Sequence, residues 1–191
     1  IGDFVWSDAN DNGLQDVGEV GLDGVSVVLR LDNNDVYDNT TTGANGSYVF
    51  GNLPRGSYFL EFKLLDGYSS ARKQIGDVNA DSDINTNGLT DLLNITSETN
   101  AIDAGFVKNG SIGNRIWVDL NSNGIQDNGE PGLNGATLKL YDENDNFIAE
   151  TSSSSTQGGV EGIYNFFNVR PGNYYAEIAG PAGYVITRFN I

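Results

Sequence analysis

The sequence contains no cysteine, no histidine and no methionine, and only four prolines. Without cysteine the chain has no disulfides, and without cysteine and histidine it lacks the usual ligands of zinc and copper. Ser–His and Cys–His nucleophilic sites are excluded for the same reason. No run of about 18 apolar residues occurs, so nothing predicts a membrane-spanning helix. A glycosidase needs only two carboxylates, and residue types alone leave that class of enzyme open.

Basic residues are also scarce. The chain has ten lysines and arginines but 26 aspartates and glutamates, which gives a formal charge of −16 and a pI near 4.1. Such a surface repels nucleic acids and anionic lipids and attracts cations. We therefore expect no nucleic-acid partner and no membrane insertion. Because the chain begins with Ile1 and has no methionine, we expect it to be a mature fragment of something longer.

The sequence repeats itself. Residues 1–8 match residues 112–119 at an offset of 111, and the Gly-x-Tyr-x-Phe-x-Asn motif at Gly46 returns at Gly162, at an offset of 116. The difference is a five-residue insertion in a Ser/Gly-rich stretch at 152–159, which is typical of a loop. Two homologous domains follow: residues 1–109, which are complete, and residues 110–191, which form a truncated second copy.

Most segments have the composition of short strands. Alternating or β-branched apolar residues occur at 25–31, 48–50, 58–62, 136–141, 164–167 and 174–178. No stretch shows a convincing helical period. Short strands separated by turns about every 8–12 residues favour a β-sandwich. The predicted fold is all-β, with two tandem Greek-key-type sandwiches.

Two segments fit the calcium-loop pattern D-x-[DN]-x-[DN]-G-x5-E. Calcium takes six to eight oxygen ligands; positions 1, 3 and 5 supply side chains, position 7 a carbonyl, position 9 a direct or water-mediated contact, and position 12 a bidentate glutamate. Glycine at position 6 allows the sharp turn. The predicted ligands are Asp8, Asn10, Asn12, Leu14, Asp16 and Glu19 in the first copy. They are Asp119, Asn121, Asn123, Ile125, Asp127 and Glu130 in the second.

The first copy contains a further acidic stretch in which aspartate and asparagine alternate. Its candidate calcium ligands are Asp77, Asn79, Asp81, Asp83, Asn85 and Asp91. A complete loop starting at Asp83 would need a glutamate where Asn94 stands, so a flexible acidic loop remains the alternative. Since helices do not flank any of these segments, a bound Ca²⁺ is expected to lock the structure rather than to switch it.

These motifs resemble the B-repeats of the serine–aspartate-repeat surface adhesins of Gram-positive bacteria. The resemblance rests on the opening IGDFVWxDxNxNGxQD, on GANGSYVF at 43–50, on Asp81-x-Asp83 and on IDAGF at 102–106. It implies transthyretin-like, Cna B-type sandwiches that bind several calcium ions. It also implies an extracellular or cell-surface location, in tandem stalks that calcium makes rigid. Some Cna B-type domains instead carry a Lys–Asn isopeptide bond, but Lys139 corresponds to Val28 in the first copy and is interpreted as an ordinary exposed lysine.

The predicted function is a calcium-stabilised stalk or spacer in adhesion, without enzymatic activity. Its predicted partners are neighbouring repeats or identical subunits, and any host protein would be bound by a head region outside this sequence. Two alternatives remain open. One is a filament or sheath subunit assembled by strand complementation. The other is a glycan- or protein-binding module that uses exposed tyrosines, since Trp6 and Trp117 lie beside the loops and are expected to be structural.

Overall fold

The chain is described by a computed structural model, which covers residues 1–73, 80–96 and 101–187. It divides into two compact units, Ile1–Asn109 and Gly110–Ile191. The described residues form strands and turns, and no helix long and apolar enough to cross a membrane occurs among them. The predicted all-β class is confirmed.

The described residues of unit 1 form eight strands in two four-stranded sheets. The strands are β1 (Gly2–Ser7), β2 (Ser26–Leu31), β3 (Val36–Thr41), β4 (Ser47–Val49), β5 (Gly56–Phe62), β6 (Tyr68–Ser70), β7 (Leu93–Ile95) and β8 (Ala104–Lys108). One sheet has the order β4-β1-β8-β6 and the other the order β3-β2-β5-β7. All neighbours are antiparallel except β1 and β8, which run parallel.

The core of unit 1 lies between these sheets. Alternate residues of β5 point inward and are buried, while Val27 and Leu29 of β2 and Phe106 of β8 are fully buried. This is the period of two that strands require when one face packs on a core and the other meets water. The two inner faces thus form one hydrophobic cluster, as in a β-sandwich.

Unit 2 repeats part of this arrangement, with five strands among residues 110–187. They are β9 (Gly110–Arg115), β10 (Thr137–Asp142), β11 (Phe147–Ser152), β12 (Ile163–Val169) and β13 (Tyr174–Ala179). One sheet pairs β12 with β9, and the other has the order β11-β10-β13. A smaller core is built from Leu138, Leu140, Phe166 and Val169. By position in the repeat, β9 corresponds to β1, β10 to β2 and β13 to β5.

The six strands predicted from apolar patterns all occur, with ends shifted by at most two residues. The prediction missed β3, whose sequence VYDNTT is largely polar and exposed. This strand forms an edge of its sheet, pairing with β2 alone. Five of its six residues are exposed, so both faces of β3 meet water and the alternation that identifies half-buried strands is absent there.

Candidate functional site

The loop of residues 8–19 begins directly after β1. The ends of this first loop are held together, because Trp6 bridges to Gly21 and the backbone N–H of Ser7 donates to the Val20 carbonyl over 2.9 Å. The Asp8 side chain is buried and turns back into the loop. Its Oδ2 accepts a hydrogen bond of 2.7 Å from the Gly13 N–H, and Oδ1 accepts longer ones from two further backbone groups. The first carboxylate of the pattern therefore organises the loop backbone.

The other polar side chains of the first loop converge on one aspartate. The Nδ2 groups of Asn10 and Asn12 donate to the same oxygen, Oδ2 of Asp16, over 2.9 and 2.8 Å. Glu19 reaches back across the loop and accepts hydrogen bonds from the N–H groups of Ala9 and Asp16, at 2.8 and 3.0 Å. Positions 1, 3, 5, 9 and 12 of the pattern are thus linked in one network of hydrogen bonds.

Glycine at position 6 is required by both conformation and space. Gly13 has φ of +79°, in the left-handed region that side-chain-bearing residues rarely adopt. A Cβ atom there would also lie 2.5 Å from the carbonyl oxygen of Arg72. The loop therefore packs tightly on the chain that follows β6.

The loop of residues 119–130 reproduces this network in unit 2. In this second loop the Nδ2 groups of Asn121 and Asn123 both donate to Oδ2 of Asp127, each over 2.8 Å. Glu130 accepts from the N–H groups of Leu120 and Asp127. The loop ends are again bridged, between Trp117 and Gly132.

The first carboxylate of the second loop shows the electrostatic effect of the turn. Desolvation acts to raise the pKa of Asp119, but hydrogen bonds from the N–H groups of Gly124, Asn123 and Ser122 outweigh it and lower that pKa. Donors that stabilise a carboxylate in this way prefer its charged form. An anionic carboxylate is also the form that a cation would bind.

The two residues at position 7 differ in their surroundings. Leu14 forms an antiparallel bridge with Asp81, and the N–H of Gln15 donates to the Ala80 carbonyl over 2.8 Å. Ile125, its counterpart, is about half exposed. Residues 14 and 15 of the first loop are therefore paired with residues 80 and 81 of the third acidic segment, as in an antiparallel sheet. The spacing of the sequence did not predict this contact.

In the described part of the third segment, the candidate ligands make separate contacts. Asp77 and Asn79 lie outside the described residues. Oδ1 of Asn85 accepts backbone hydrogen bonds within the turn at 85–89. Asp91 forms an ion pair of 2.7 Å with Lys73, and its own side chain is largely exposed. Among the predicted ligands here, Asp81 is buried and Asp83 is partly buried.

A buried aspartate that the sequence analysis did not select lies beside these two. The N–H of Asp103 donates to Oδ2 of Asp83 over 2.8 Å, and Oδ1 of Asp103 accepts from the Phe4 N–H over 3.1 Å. Asp103 is only 2% exposed, and within the described residues its Oδ2 has no hydrogen-bond partner. The sequence signal that could have identified Asp103 is an aspartate inside the otherwise apolar motif IDAGF at 102–106.

Burial and like charge act together on the acidic residues near Asp103, which are the buried Asp81, the partly buried Asp83 and the exposed Asp3. Burial raises the pKa of Asp103 to about 8, with the charge of Asp3 as the next cause. Burial also raises the pKa of Asp83 to about 6, and the charge of Asp81 adds to the shift. Buried carboxylates without a cation are more stable in their protonated form. Asp83 and Asp103 therefore hold protons at a pH where surface carboxylates have lost them.

The side chains of these sites are not gathered around a ready-made metal position. Across residues 1–73, 80–96 and 101–187, no three acidic side chains converge closely enough to hold a metal ion as they stand. In both loops the carboxylates accept N–H groups instead. The arrangement offers hard oxygen donors, the chemistry that suits Ca²⁺ and Mg²⁺ and that zinc and copper sites seldom use alone.

Fold and loops together define a tandem all-β repeat with one acidic loop at the same place in each copy. The family model of the SdrD B-like domain matches residues 1–106 and 110–191. The chain belongs to the SdrD B-like domain family.

The curated relatives are much longer than this chain. Serine-aspartate repeat-containing protein F of Staphylococcus epidermidis is 36% identical over 192 residues, covering 100% of this chain and 11% of the relative. Serine-aspartate repeat-containing protein D of Staphylococcus aureus strain Newman is 36% identical over 189 residues, covering 98% of this chain and 14% of the relative. This confirms the predicted resemblance, and it places the chain in a cell-surface or extracellular protein.

Two solved structures that match the chain share little sequence with it. A streptococcal ancillary pilin matches with a TM-score of 0.41 at 17% identity, covering 97% of this chain and 56% of that chain. The minor pilin of Streptococcus agalactiae matches with a TM-score of 0.38 at 14% identity, covering 98% of this chain and 86% of that chain.

Proposed function

We propose that the chain is a calcium-stabilised structural repeat that serves as a stalk or spacer in a cell-surface protein, and that it has no catalytic role. The observation that carries this proposal is the duplicated loop. Each copy has the same twelve-residue pattern, the same convergence of two amides on one aspartate, and ends bridged next to a tryptophan. The repeated set of three carboxylates and two amides, at the spacing of a calcium loop, supports calcium as the bound ion.

The donor set of each loop fits calcium by its chemistry. In the first loop Asp8, Asp16 and Glu19 supply carboxylates, and Asn10 and Asn12 supply amide oxygens. Each amide now directs its nitrogen at Asp16. A half-turn of an amide exchanges its nitrogen for its oxygen, so that a dication can take the place of the two N–H donors. The equivalent set in the second loop is Asp119, Asn121, Asn123, Asp127 and Glu130.

The consequence of binding would be structural stabilisation. The N–H of Asp8 donates to the carbonyl of Phe106 over 2.9 Å, which links the first loop to β8. Since strands and not helices flank the loop, no helix pair is available to open as in a calcium sensor. Binding free energy therefore adds to the free energy of unfolding, by about 2.7 kcal/mol when free calcium is a hundred times Kd.

Thermal unfolding with and without calcium tests the proposal. We expect the melting temperature, followed by tryptophan fluorescence, to rise in millimolar Ca²⁺ and to fall in excess chelator, because extracellular modules bind at about 10⁻⁴–10⁻³ M. Magnesium at the same concentration serves as the control, since it demands a smaller, near-octahedral site. Identical melting curves in all three buffers, with no calcium retained by elemental analysis, would refute the proposal.

We propose assembly by strand addition as a second candidate function, because among the described residues β9 is paired along one edge only. In unit 1, β1 is paired on both sides, by β4 and β8, whereas among the described residues β9 is paired only with β12. Trp6 is fully buried next to β8, but Trp117 is only partly buried. A strand from a neighbouring copy could pair with this edge, in the manner of β-augmentation.

Hydrogen exchange as a function of protein concentration tests this second candidate. If copies add a strand to β9, its amides become protected as the concentration rises and oligomers appear in light scattering. The amides of β1 serve as the internal control, because both edges of that strand are already paired. A monomer whose β9 amides exchange equally fast at every concentration would exclude assembly through this edge.

A further inference from the structure

The outer face of the β11-β10-β13 sheet carries a cluster of aromatic side chains. The rings of Tyr141 and Tyr175 are stacked, with centroids 5.3 Å apart and planes 15° from parallel. Phe147 meets Tyr141 edge-on at 5.9 Å. Tyr175 and Phe147 are 43% and 56% exposed. Aromatic rings in this number are normally buried or used at interfaces.

Acidic groups border these rings. The Tyr175 hydroxyl donates to Oδ1 of Asp145 over 2.8 Å, and Tyr141 is hydrogen-bonded to Glu177. We call the set Tyr141, Phe147, Tyr175, Asp145 and Glu177 the aromatic–acidic patch. A phenol that donates to a carboxylate leaves the negative charge in place, so the rings lie in a field that favours cations.

The sheet supplies few cations of its own near the patch. Lys139 lies between two glutamates in the strand register, opposite Glu150 on one side and Glu177 on the other. Its ion pair, at 3.8 Å, is with Glu150, and its side chain is 46% exposed, as predicted for an ordinary exposed lysine. One ammonium group thus faces two carboxylates in the strand register. Within the described residues Glu177 has no ion pair.

In unit 1 an arginine occupies the position that is equivalent to Tyr141 of the patch. Both units have the same register shift, between Leu29 and Arg30 in β2 and between Leu140 and Tyr141 in β10, so that Arg30 occupies the place of Tyr141. The guanidinium of Arg30 forms an ion pair of 2.6 Å with Glu61, the counterpart of Glu177. A second cation, Lys63, also contacts Glu61.

We propose that the aromatic–acidic patch of unit 2 binds an arginine side chain presented by another polypeptide segment. The guanidinium would supply in trans what Arg30 supplies within unit 1. Its planar group can lie on a tyrosine ring while its N–H groups donate to a carboxylate such as Glu177, a combination that ammonium matches less well. A neutral glycan would gain from the rings but would leave the carboxylates without a counter-charge.

The test uses the whole chain, with ring-labelled tyrosines observed by NMR. The probe is the peptide acetyl-Gly-Arg-Gly-Arg-Gly-amide, and the control peptide carries citrulline, the neutral isostere, in place of each arginine. We expect the arginine peptide to shift the ring signals of Tyr141 and Tyr175. Glu177→Gln should weaken binding about fivefold or more, the scale of a single cation–π or surface ion-pair contact. Tyr141→Ala should do the same.

Tyr37→Ala is the matched control, because Tyr37 is also an exposed sheet tyrosine but lies in unit 1. It should leave binding unchanged. Equal binding of the citrulline peptide would overturn the proposal, and so would shifts that persist in Glu177→Gln. Binding of cellobiose at these rings without binding of the arginine peptide would overturn it in favour of a glycan site. If Tyr141→Ala unfolds at a lower temperature than the wild type, the proposal is judged on the exposed Glu177→Gln variant alone.

Discussion

Replacing Asp103 by asparagine should remove a pH dependence from the stability of unit 1. Burial raises the pKa of Asp103 from 3.8 to about 8. The folded state therefore binds more protons than the unfolded state between these two values, and the free energy of unfolding falls as the pH rises. This contribution is fully present below about pH 4 and is lost once the pH passes about 8. An asparagine side chain does not titrate, so the D103N variant lacks this contribution.

The size of the effect can be worked out for a narrow window. One pKa unit corresponds to about 1.36 kcal/mol. Between pH 6 and pH 7.5 the protonated Asp103 should therefore lose about 2 kcal/mol of stabilisation, since the window lies below its folded pKa. Asp83 also has a raised pKa, of about 6. Most of the stability that is lost when Asp83 ionises is therefore lost below pH 6. The chain has no histidine and no cysteine, the side chains that normally titrate there.

The assay is urea unfolding at pH 6.0 and 7.5 in excess chelator. A Trp117→Phe background leaves Trp6 as the only tryptophan, so that fluorescence reports on unit 1. The α-amino group is the same in both proteins and cancels in the difference between wild type and D103N. The reasoning is wrong if the wild type is equally stable at both pH values, or if D103N shows the same loss.

Two further sets of substitutions address packing and the loops. Gly105→Ala should destabilise unit 1 by about 1–3 kcal/mol in urea unfolding, because the new Cβ would lie 2.9 Å from the ring of Trp6 in a packed core. Gly110→Ala, whose Cβ would meet nothing closer than 3.8 Å, is the control, and an equal loss there would contradict the argument. Glu19→Gln and Glu130→Gln should each remove about one bound calcium in calorimetric titration; unchanged stoichiometry would show that the glutamates are not ligands.

The parts of the fold that sequence reasoning predicted are those that depend on local pattern. Residues 25–31 and 136–141 alternate because one face of each strand packs on the core, and the observed β2 and β10 agree. The glycine required for the loop turn was likewise predicted, and Gly13 and Gly124 both have positive φ. These features depend on sterics within a few residues.

The parts that were missed depend on contacts between distant segments. Asp103 is buried because β8 inserts beside β1, and its hydrogen bond to the Phe4 N–H spans 99 positions of sequence. No local pattern encodes a parallel pairing of that kind. The third acidic segment was predicted to be one site because its acids alternate. Asp81 forms a backbone bridge with Leu14 and Asp91 forms an ion pair with Lys73, and alternation in the sequence does not predict these contacts.

The two loops have nearly the same sequence but different support, and this bears on their calcium affinity. The first loop is held from outside: the N–H of Ser82 donates to the Gly13 carbonyl over 3.0 Å, and the hydroxyl oxygen of Ser82 accepts from the Gly105 N–H over 3.1 Å. Ile125 of the second loop has no bridge comparable to that of Leu14 among the described residues, and it is half exposed.

A loop that is already ordered loses less conformational entropy when it closes on an ion. Calcium should therefore bind more tightly to the first loop than to the second. In calorimetric titrations, Glu19→Gln should remove the tighter of the two binding events and Glu130→Gln the weaker. The reverse order would mean that contacts outside the loop do not determine the affinity, and that the exposed loop gains more from its ligands than it loses in ordering.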